Sequence, residues 1–262
     1  MKFFHKIVVI ICCAIYTIVI NFDFDYTQET LKAIFFDVGQ GDSLLLLTPD
    51  SKSILIDAGK DISAASKLGE YLSGNIIDLL IITHPDTDHI AGVFDIKKGY
   101  QINNTIAEQH ELLSGLSRLE VNEGGVIVVG CCVQLKLFNV DNKDEDANAR
   151  SYAILVSYAN QEIFVAGDLP KNLEDTLVNQ IGDIEVLKVG HHGSNTSTSE
   201  YFLETVKPEV AIISVGENKY GHPHFEVLNN LNNAGVQTYR TDQLGDIEII
   251  FSTTKKYKIY SK

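Results

Sequence analysis

The sequence predicts a mixed α/β (α+β) fold, two β-sheets packed face to face with helices outside them, and three observations carry that prediction. Short runs of β-formers such as Ser53–Ile56 and Ile76–Thr83 alternate with helically spaced apolar residues such as Ile62, Ala65, Leu68, Tyr71 and Leu72. Gly and Asp close the strands, at Asp57-Ala58-Gly59 and again at Gly167-Asp168. A strand, acid, helix, strand, histidine order occurs twice, from Leu55 through Asp57 to His84 and from Val165 through Asp168 to His191. Two such units facing each other would bring both sets of strand ends to one edge of a sandwich.

The chain has 262 residues, 45% of them hydrophobic, which is enough for a sizeable core. No long Pro/Ser-rich linker divides it, so residues 30–262 are read as a single domain. With 35 acidic against 21 basic residues the net charge is −14. That balance argues against tight, sequence-independent nucleic-acid binding, which relies on many Lys/Arg–phosphate contacts. It leaves room for a nucleic-acid substrate held through metal ions. The four cysteines form two adjacent pairs, Cys12-Cys13 and Cys131-Cys132. Neighbours on a strand point to opposite faces, so Cys131 and Cys132 are expected as small apolar strand residues, with no disulfide framework.

Residues 1–29 read as a signal peptide or N-terminal membrane anchor. Met1–Lys6 is basic, Ile7–Ile20 is almost uninterruptedly apolar, and Asp23, Asp25 and Glu29 follow. The apolar run is shorter than the ~20 residues a full span needs, and including Phe3, Phe4 and Phe22 lengthens it towards an anchor over residues 3–22. Lysines before and acids after place the following domain outside the cell, exported or anchored facing outside.

From Leu31 the elements follow in order. Ala33–Asp37 and Ser43–Leu47 are strands around the Val38–Asp42 turn, and Ser53–Ile56 is the next. Asp61–Leu72 is a helix stopped by Gly74-Asn75, Ile76–Thr83 a strand, and Glu111–Leu119 a helix on its leucine spacing. Gly124–Val140 reads as a hairpin, Asp141–Asp146 as a solvated acidic loop, and Tyr152–Ser157 with Glu162–Ala166 as another hairpin. Leu169–Gln180, Ser199–Val206 and Pro223–Ala234 are helices; Ile184–Val189, Val210–Val215, Val236–Thr241 and Ile247–Phe251 are strands.

Thr83–Gly92 holds the densest chemistry. His84, Asp86, Asp88 and His89 place two imidazoles and two carboxylates in six residues behind an apolar strand. A rigid strand ending in a ligand-dense loop is how a sheet holds a metal at its edge. Imidazole with carboxylate suits a divalent cation such as zinc or manganese.

His84-x-Asp86-x-Asp88-His89 with Gly92 resembles the metal motif of the metallo-β-lactamase superfamily, in the variant with Asp for the second His. Phe36-Asp37-Val38-Gly39-Gln40-Gly41-Asp42-Ser43, Asn148-x-x-Ser151, Ala166-Gly167-Asp168, Lys188–Ser194 and Tyr220-Gly221-His222-Pro223-His224 occur in the order of the C-terminal domain of ComEC-type competence proteins. The resemblance implies a four-layer αββα sandwich with two divalent ions, Zn(2+) or Mn(2+), at the sheet edge. It implies that His84 and Asp86 hold one ion, Asp88 and His89 the other, that Asp168 bridges them and that His191 completes the second. His192 is then free to hydrogen-bond substrate or act as general acid. Asp86, and Asn148 where a third-motif His is usual, replace nitrogen by oxygen donors and favour manganese.

The implied activity is a metal-dependent phosphodiesterase or nuclease, with single-stranded DNA as a candidate substrate and a metal-activated water as nucleophile. Asp88 could orient that water, and His192, His222 or His224 could stabilise the leaving oxygen. Asp37, Asp42 and Asp57 are expected to fix loops. Ser194, Thr196, Ser197 and Ser199 are expected to cap a helix. Without the membrane helices of the competence proteins the chain would be a stand-alone version. The alternatives are a phosphorylcholine-type esterase and a catalytically silent binding module on the same scaffold.

Overall fold

The computed structural model of the protein describes residues 6–13, 16–23, 29–139, 146–254 and 257–262. Strands β1 (Lys6–Cys13) and β2 (Tyr16–Asp23) pair antiparallel with each other in a sheet of their own. These strands fall within the stretch expected as leader or anchor, and no helix among the described residues is long and apolar enough to cross a membrane.

Two seven-stranded sheets form the body. The first contains β3 (Thr30–Phe35), β4 (Leu44–Leu47), β5 (Ser53–Ile56), β6 (Ile76–Ile81) and β7 (Gln101–Ile106). The second contains β8 (Val126–Val129), β9 (Val133–Phe138), β10 (Ala153–Tyr158), β11 (Gln161–Val165), β12 (Val186–Lys188), β13 (Val210–Ile213) and β14 (Gln237–Arg240). The chain then returns to the first sheet through β15 (Ile247–Ser252) and β16 (Tyr257–Ser261), giving the order β16-β15-β3-β4-β5-β6-β7 against β14-β13-β12-β11-β10-β9-β8.

Alternation along the strands builds three apolar layers. Phe35, Ile54, Ile56 and Ile81 meet Leu135, Ile154, Val165 and Val186 between the sheets. The opposite face of the first sheet, with Phe36, Leu55 and Leu80, packs on α1 (Ser63–Tyr71) and α3 (Val93–Gly99) through Ala64, Leu68, Val93 and Ile96. The outer face of the second, with Phe164, Leu187 and Ile213, packs on α4 (Lys171–Ile181), α5 (Glu200–Val206) and α6 (Phe225–Asn233) through Leu177, Phe202 and Leu231. Strands buried on both faces need near-continuous apolar sequence, and Leu44–Leu47 and Val210–Ile213 supply it. The result is the expected four-layer αββα sandwich.

Three local expectations need correction. Glu111–Leu119 is not a helix: only Glu111–Leu113 turns, as a 3-10 segment capped by the His110 ring, and Thr105 bridges Arg118. Thr87–Ile90 and Val93–Gly99, to which the sequence pattern assigns no helix, form α2 and α3. Cys131 and Cys132 lie in the turn between β8 and β9, joined to each other as a vicinal disulfide. All of the expected acidic loop Asp141–Asp146 except Asp146 lies outside the described residues.

β5 and β6 run parallel, as do β11, β12, β13 and β14. Parallel strands end on the same side, so their C-terminal loops gather at one edge of the sandwich, where ligands of open α/β sheets bind.

Candidate metal centre

Asp57 follows β5, His84 follows β6 by three residues, and α2 then carries Asp88 and His89 back towards them. From the second sheet, Gly167 turns after β11 and presents Asp168, while His191 and His192 follow β12. Adjacent residues in an extended chain point to opposite faces. His191 and His192 instead have positive φ, 48° and 53°, a left-handed turn that lets both rings enter one site.

Each imidazole is tied by Nδ1. The Thr83 hydroxyl donates to Asp57 Oδ2 at 2.8 Å, so its oxygen is available to accept from His84 Nδ1 at 3.1 Å. His89 Nδ1 meets Asp57 Oδ2 at 2.8 Å, and the Thr83 backbone N–H donates to Asp57 Oδ1 at 2.7 Å. His192 Nδ1 donates to the Ser214 carbonyl at 3.0 Å and lies 3.3 Å from Asp42 Oδ1. His191 Nδ1 lies 3.2 Å from Thr196 Oγ1. With Nδ1 engaged, the Nε2 atoms are turned towards the centre.

Those Nε2 atoms converge on carboxylates. Asp168 Oδ1 is 3.4 Å from His89 Nε2, and Oδ2 is 3.7 Å from both His84 Nε2 and His191 Nε2. Asp88 Oδ2 is 3.3 Å from His192 Nε2, and Asp86 Oδ2 is 3.7 Å from His84 Nε2. Donor atoms of His84, His89 and Asp168 lie within 4.8 Å of one another, and so do those of Asp88, His89 and His192. It is His192, not His191, that the fold sets beside Asp88 and His89; His191 approaches the other oxygen of Asp168.

The buried Nε2 atoms of His84, His89 and His192 and Oδ1 of Asp168 have no hydrogen-bond partner. Orphaned buried polar atoms are costly, and these fall in two adjoining groups that share His89, where cations would satisfy them. Electrostatics agree. Burial alone would push His192 down, yet the Asp42 and Asp168 carboxylates raise it to about 9. Burial likewise opposes the charge on His89, and Asp168 and Asp57 outweigh it and raise it well above its ordinary value. Burial, followed by His89, brings His84 down to about 3. For Asp168 burial favours the neutral acid, and the surrounding imidazoles reverse that and hold it well below the carboxylate range. Burial and Asp88 raise Asp86, which stands half exposed at the rim. The donor set therefore fits divalent cations.

Asp42 has a second task. Its Oδ2 takes a 2.7 Å hydrogen bond from Lys188 Nζ, and both side chains are nearly inaccessible. Asp37 Oδ1 accepts from Gly39 N at 3.2 Å, as expected of a loop residue. Lys188 belongs to one of the ordered motifs but has no role there that the sequence reveals, and only the structure shows the ammonium turned inward.

His222 packs edge-on to His191 with ring centroids 5.5 Å apart, and burial followed by His191 lowers it to about 4. The His224 ring is 6.0 Å from that of His222; its N–H donates to Gly193 O, and it precedes α6. Asn148 has a buried Oδ1 without a partner. Ser199 caps α5 by accepting from Phe202 N at 2.9 Å, as expected.

The metallo-β-lactamase superfamily model matches residues 36–130. The chain is 30% identical to ComE operon protein 3 of Bacillus subtilis (strain 168) over 274 residues, covering 91% of this chain and 35% of that protein. It is 32% identical to Recombination protein 2 of Haemophilus influenzae (strain ATCC 51907 / DSM 11121 / KW20 / Rd) over 234 residues, covering 86% of this chain and 29% of that protein. The chain thus spans about a third of the length of these curated relatives. Among solved structures, the metallo-β-lactamase fold protein YhfI from Bacillus subtilis superposes with a TM-score of 0.61 at 13% identity, over 84% of this chain and 99% of that one.

Proposed function

From the premise that the chain belongs to the metallo-β-lactamase superfamily, with ComEC-type competence proteins as its relatives, we propose that it is a binuclear metal-dependent phosphodiesterase acting on nucleic-acid strands outside the cell. The observation that carries this reading is the convergence of the unpartnered Nε2 atoms of His84 and His89 on Asp168, with the unpartnered Nε2 of His192 beside Asp88 in the adjoining group. His84, Asp86 and His191 would hold one cation with Asp168 Oδ2. Asp88, His89 and His192 would hold the other with Asp168 Oδ1. Zinc or manganese held there would supply Lewis acidity and a water of lowered pKa.

The chain's own groups do the rest. Asp57 and Asp42 keep the His89 and His192 rings turned with Nε2 inward. Asp88 borders the open side and accepts or orients the proton of the attacking water. His222, neutral at physiological pH, hydrogen-bonds the leaving oxygen rather than protonating it. His224, farther out, shapes the segment. We assign residues 30–262 to the hydrolase domain and 1–29 to export or anchoring, on the basic head and apolar run of the sequence.

Elemental analysis of the purified chain, with manganese- and zinc-supported hydrolysis of single-stranded DNA and a chromogenic phosphodiester, tests this. The expected result is two ions per chain and cleavage of both substrates. Cleavage of the small ester alone would favour the phosphorylcholine-type esterase. Neither metal nor hydrolysis would leave the silent binding module.

A further inference from the structure

Beside the centre lies a cavity of about 570 Å³ whose lining includes Gln40, Lys60, Asp88, Asn218, Lys219 and Tyr220. Asp88 belongs to both, since its Oδ2 faces His192. A group bound in the cavity would therefore sit directly next to the reacting atoms.

Two features give this cavity a chemistry. The first is charge. Lys60 and Lys219 are exposed, and among the described residues neither is held in an ion pair, in a chain of net charge −14. Glu217 also borders the cavity, and with Asp88 committed to the centre the two ammonium groups outweigh it. The second is a fixed aromatic face. Tyr220 is 61% exposed, which is unusual for so large a ring, yet its loop is pinned. Asn218 Oδ1 accepts from Tyr220 N at 3.1 Å and from His222 N at 3.0 Å, and its Nδ2 donates to the carbonyls of Gly216 and His222. The Tyr220 ring stacks on His222 with centroids 5.6 Å apart and planes 30° apart, Lys219 Nζ stands 6.0 Å from the Tyr220 ring centroid, where a bound phosphate would draw it off the ring, and His222 in turn abuts His191. A row of rings thus leads outward from the centre to an exposed tyrosine.

We infer that this cavity is a subsite for the nucleotide flanking the scissile bond of an unpaired polynucleotide strand, its base on Tyr220 and its phosphate between Lys60 and Lys219. The inference rests on the phosphodiesterase reading and adds the substrate's shape to it. Unstacked bases bind aromatic faces regardless of sequence, and lysines track the backbone. A quaternary-ammonium headgroup would also use an aromatic face, but the two ammonium groups repel it.

Fluorescence anisotropy of the full chain at low ionic strength, with EDTA to prevent hydrolysis, tests the subsite. The probes are a labelled ten-nucleotide oligothymidylate, an abasic oligomer of the same length, and a duplex. Oligothymidylate should bind about tenfold more tightly than the abasic strand, corresponding to one stacked base. Tyr220→Ala should erase that difference, and the duplex, whose bases are already stacked, should show no dependence on Tyr220. Lys60→Gln with Lys219→Gln should reduce the salt dependence on both single strands by about 0.7 for each phosphate no longer neutralised. Equal binding of the two single strands by the unaltered chain, binding of neither, or a salt slope unmoved in the double variant would overturn the subsite. The small chromogenic ester keeps the two ideas apart. Its hydrolysis without base-dependent binding leaves the phosphodiesterase and removes the subsite; base-dependent binding without hydrolysis does the reverse.

Discussion

The two strand–helix–strand units, β5-α1-β6 and β11-α4-β12, are built alike and deliver their carboxylates differently. Asp57 N donates to the carbonyl of Ile81, the last residue of β6, and Ala166 N donates to that of Lys188, the last residue of β12. Ala166 is thus the structural counterpart of Asp57, and Asp168 comes two residues later. Gly167, with a φ of 57°, makes the turn between them, and a side chain there would press on Thr83, Ser151 and Tyr152. The offset has a chemical consequence. Asp57 stands behind the imidazoles and accepts from His89 Nδ1, whereas Asp168 stands before them and faces Nε2. One carboxylate orients the imidazoles and the other faces the atoms they turn inward.

The sharpest way to break this comparison is to remove each carboxylate in turn. Asp168→Ala should abolish phosphodiester hydrolysis and reduce bound metal from two ions per chain to one or none, by elemental analysis. Full activity in that variant would show that Asp168 does not bridge. Asp57→Asn should keep two sites and weaken metal affinity by about 10–100-fold, the usual loss when an orienting partner is removed. If the two variants behave alike, the front-and-behind distinction fails.

The second unit also needs help from outside either unit, because His192 is held across the sheets by Asp42, in the turn between β3 and β4. Burial alone would raise the Asp42 carboxyl; Lys188, followed by His192, outweighs it and holds the group well below its ordinary range. Removing one member strands the other. Asp42→Asn should cost about 3–5 kcal/mol, as breaking a buried ion pair does, measured by urea unfolding of the metal-free chain. Adding Lys188→Met should restore most of it, since the desolvated ammonium is then gone. An Asp42→Asn variant as stable as the parent would mean that the pair contributes little to the folded state.

Legibility in the sequence follows the same division. The cluster after β6 is readable as a cluster because its His and Asp residues fall in one six-residue run behind an apolar strand, and the layers because their alternation is regular. Which of His191 and His192 faces Asp168 and which faces Asp88 is not readable. It depends on a left-handed turn, and an adjacent pair in the sequence carries no sign of φ. Asp57 and Asp42 could be read as loop residues but not as partners of particular rings, since those contacts span 32 and 150 positions. Lys188 sits in an apolar strand where one ammonium looks like a solvated tip. The leucines of Glu111–Leu119 have helical spacing, but Leu112, Leu113 and Leu116 pack over the outside of the first sheet while Leu119 is exposed, and the Thr105–Arg118 bridge wins.

The last difference between the units is what their helices bury. α1 buries only Ala64 and Leu68, but α4 buries Glu174 against Gly190 and Thr198, on either side of the His191-His192 turn. Glu174 Oε2 accepts from Thr198 N at 2.5 Å, its Oε1 has no partner, and burial raises the carboxyl to about 8. Below the unfolded value of about 4.5 both states hold the proton, so the group adds no pH dependence. Between there and about pH 8 the folded chain retains a proton that the unfolded chain releases, so stability falls as pH rises. One retained proton corresponds to about 1.4 kcal/mol per pH unit. Glu174→Gln mimics the neutral acid and keeps an acceptor for Thr198. Relative to the parent it should therefore gain about 1.4 kcal/mol between pH 6 and pH 7, read from urea midpoints of the metal-free chains. Parallel pH profiles would show instead that Glu174 is ionised in the folded protein, and that the side chain packed beside the second unit's histidine turn carries a charge.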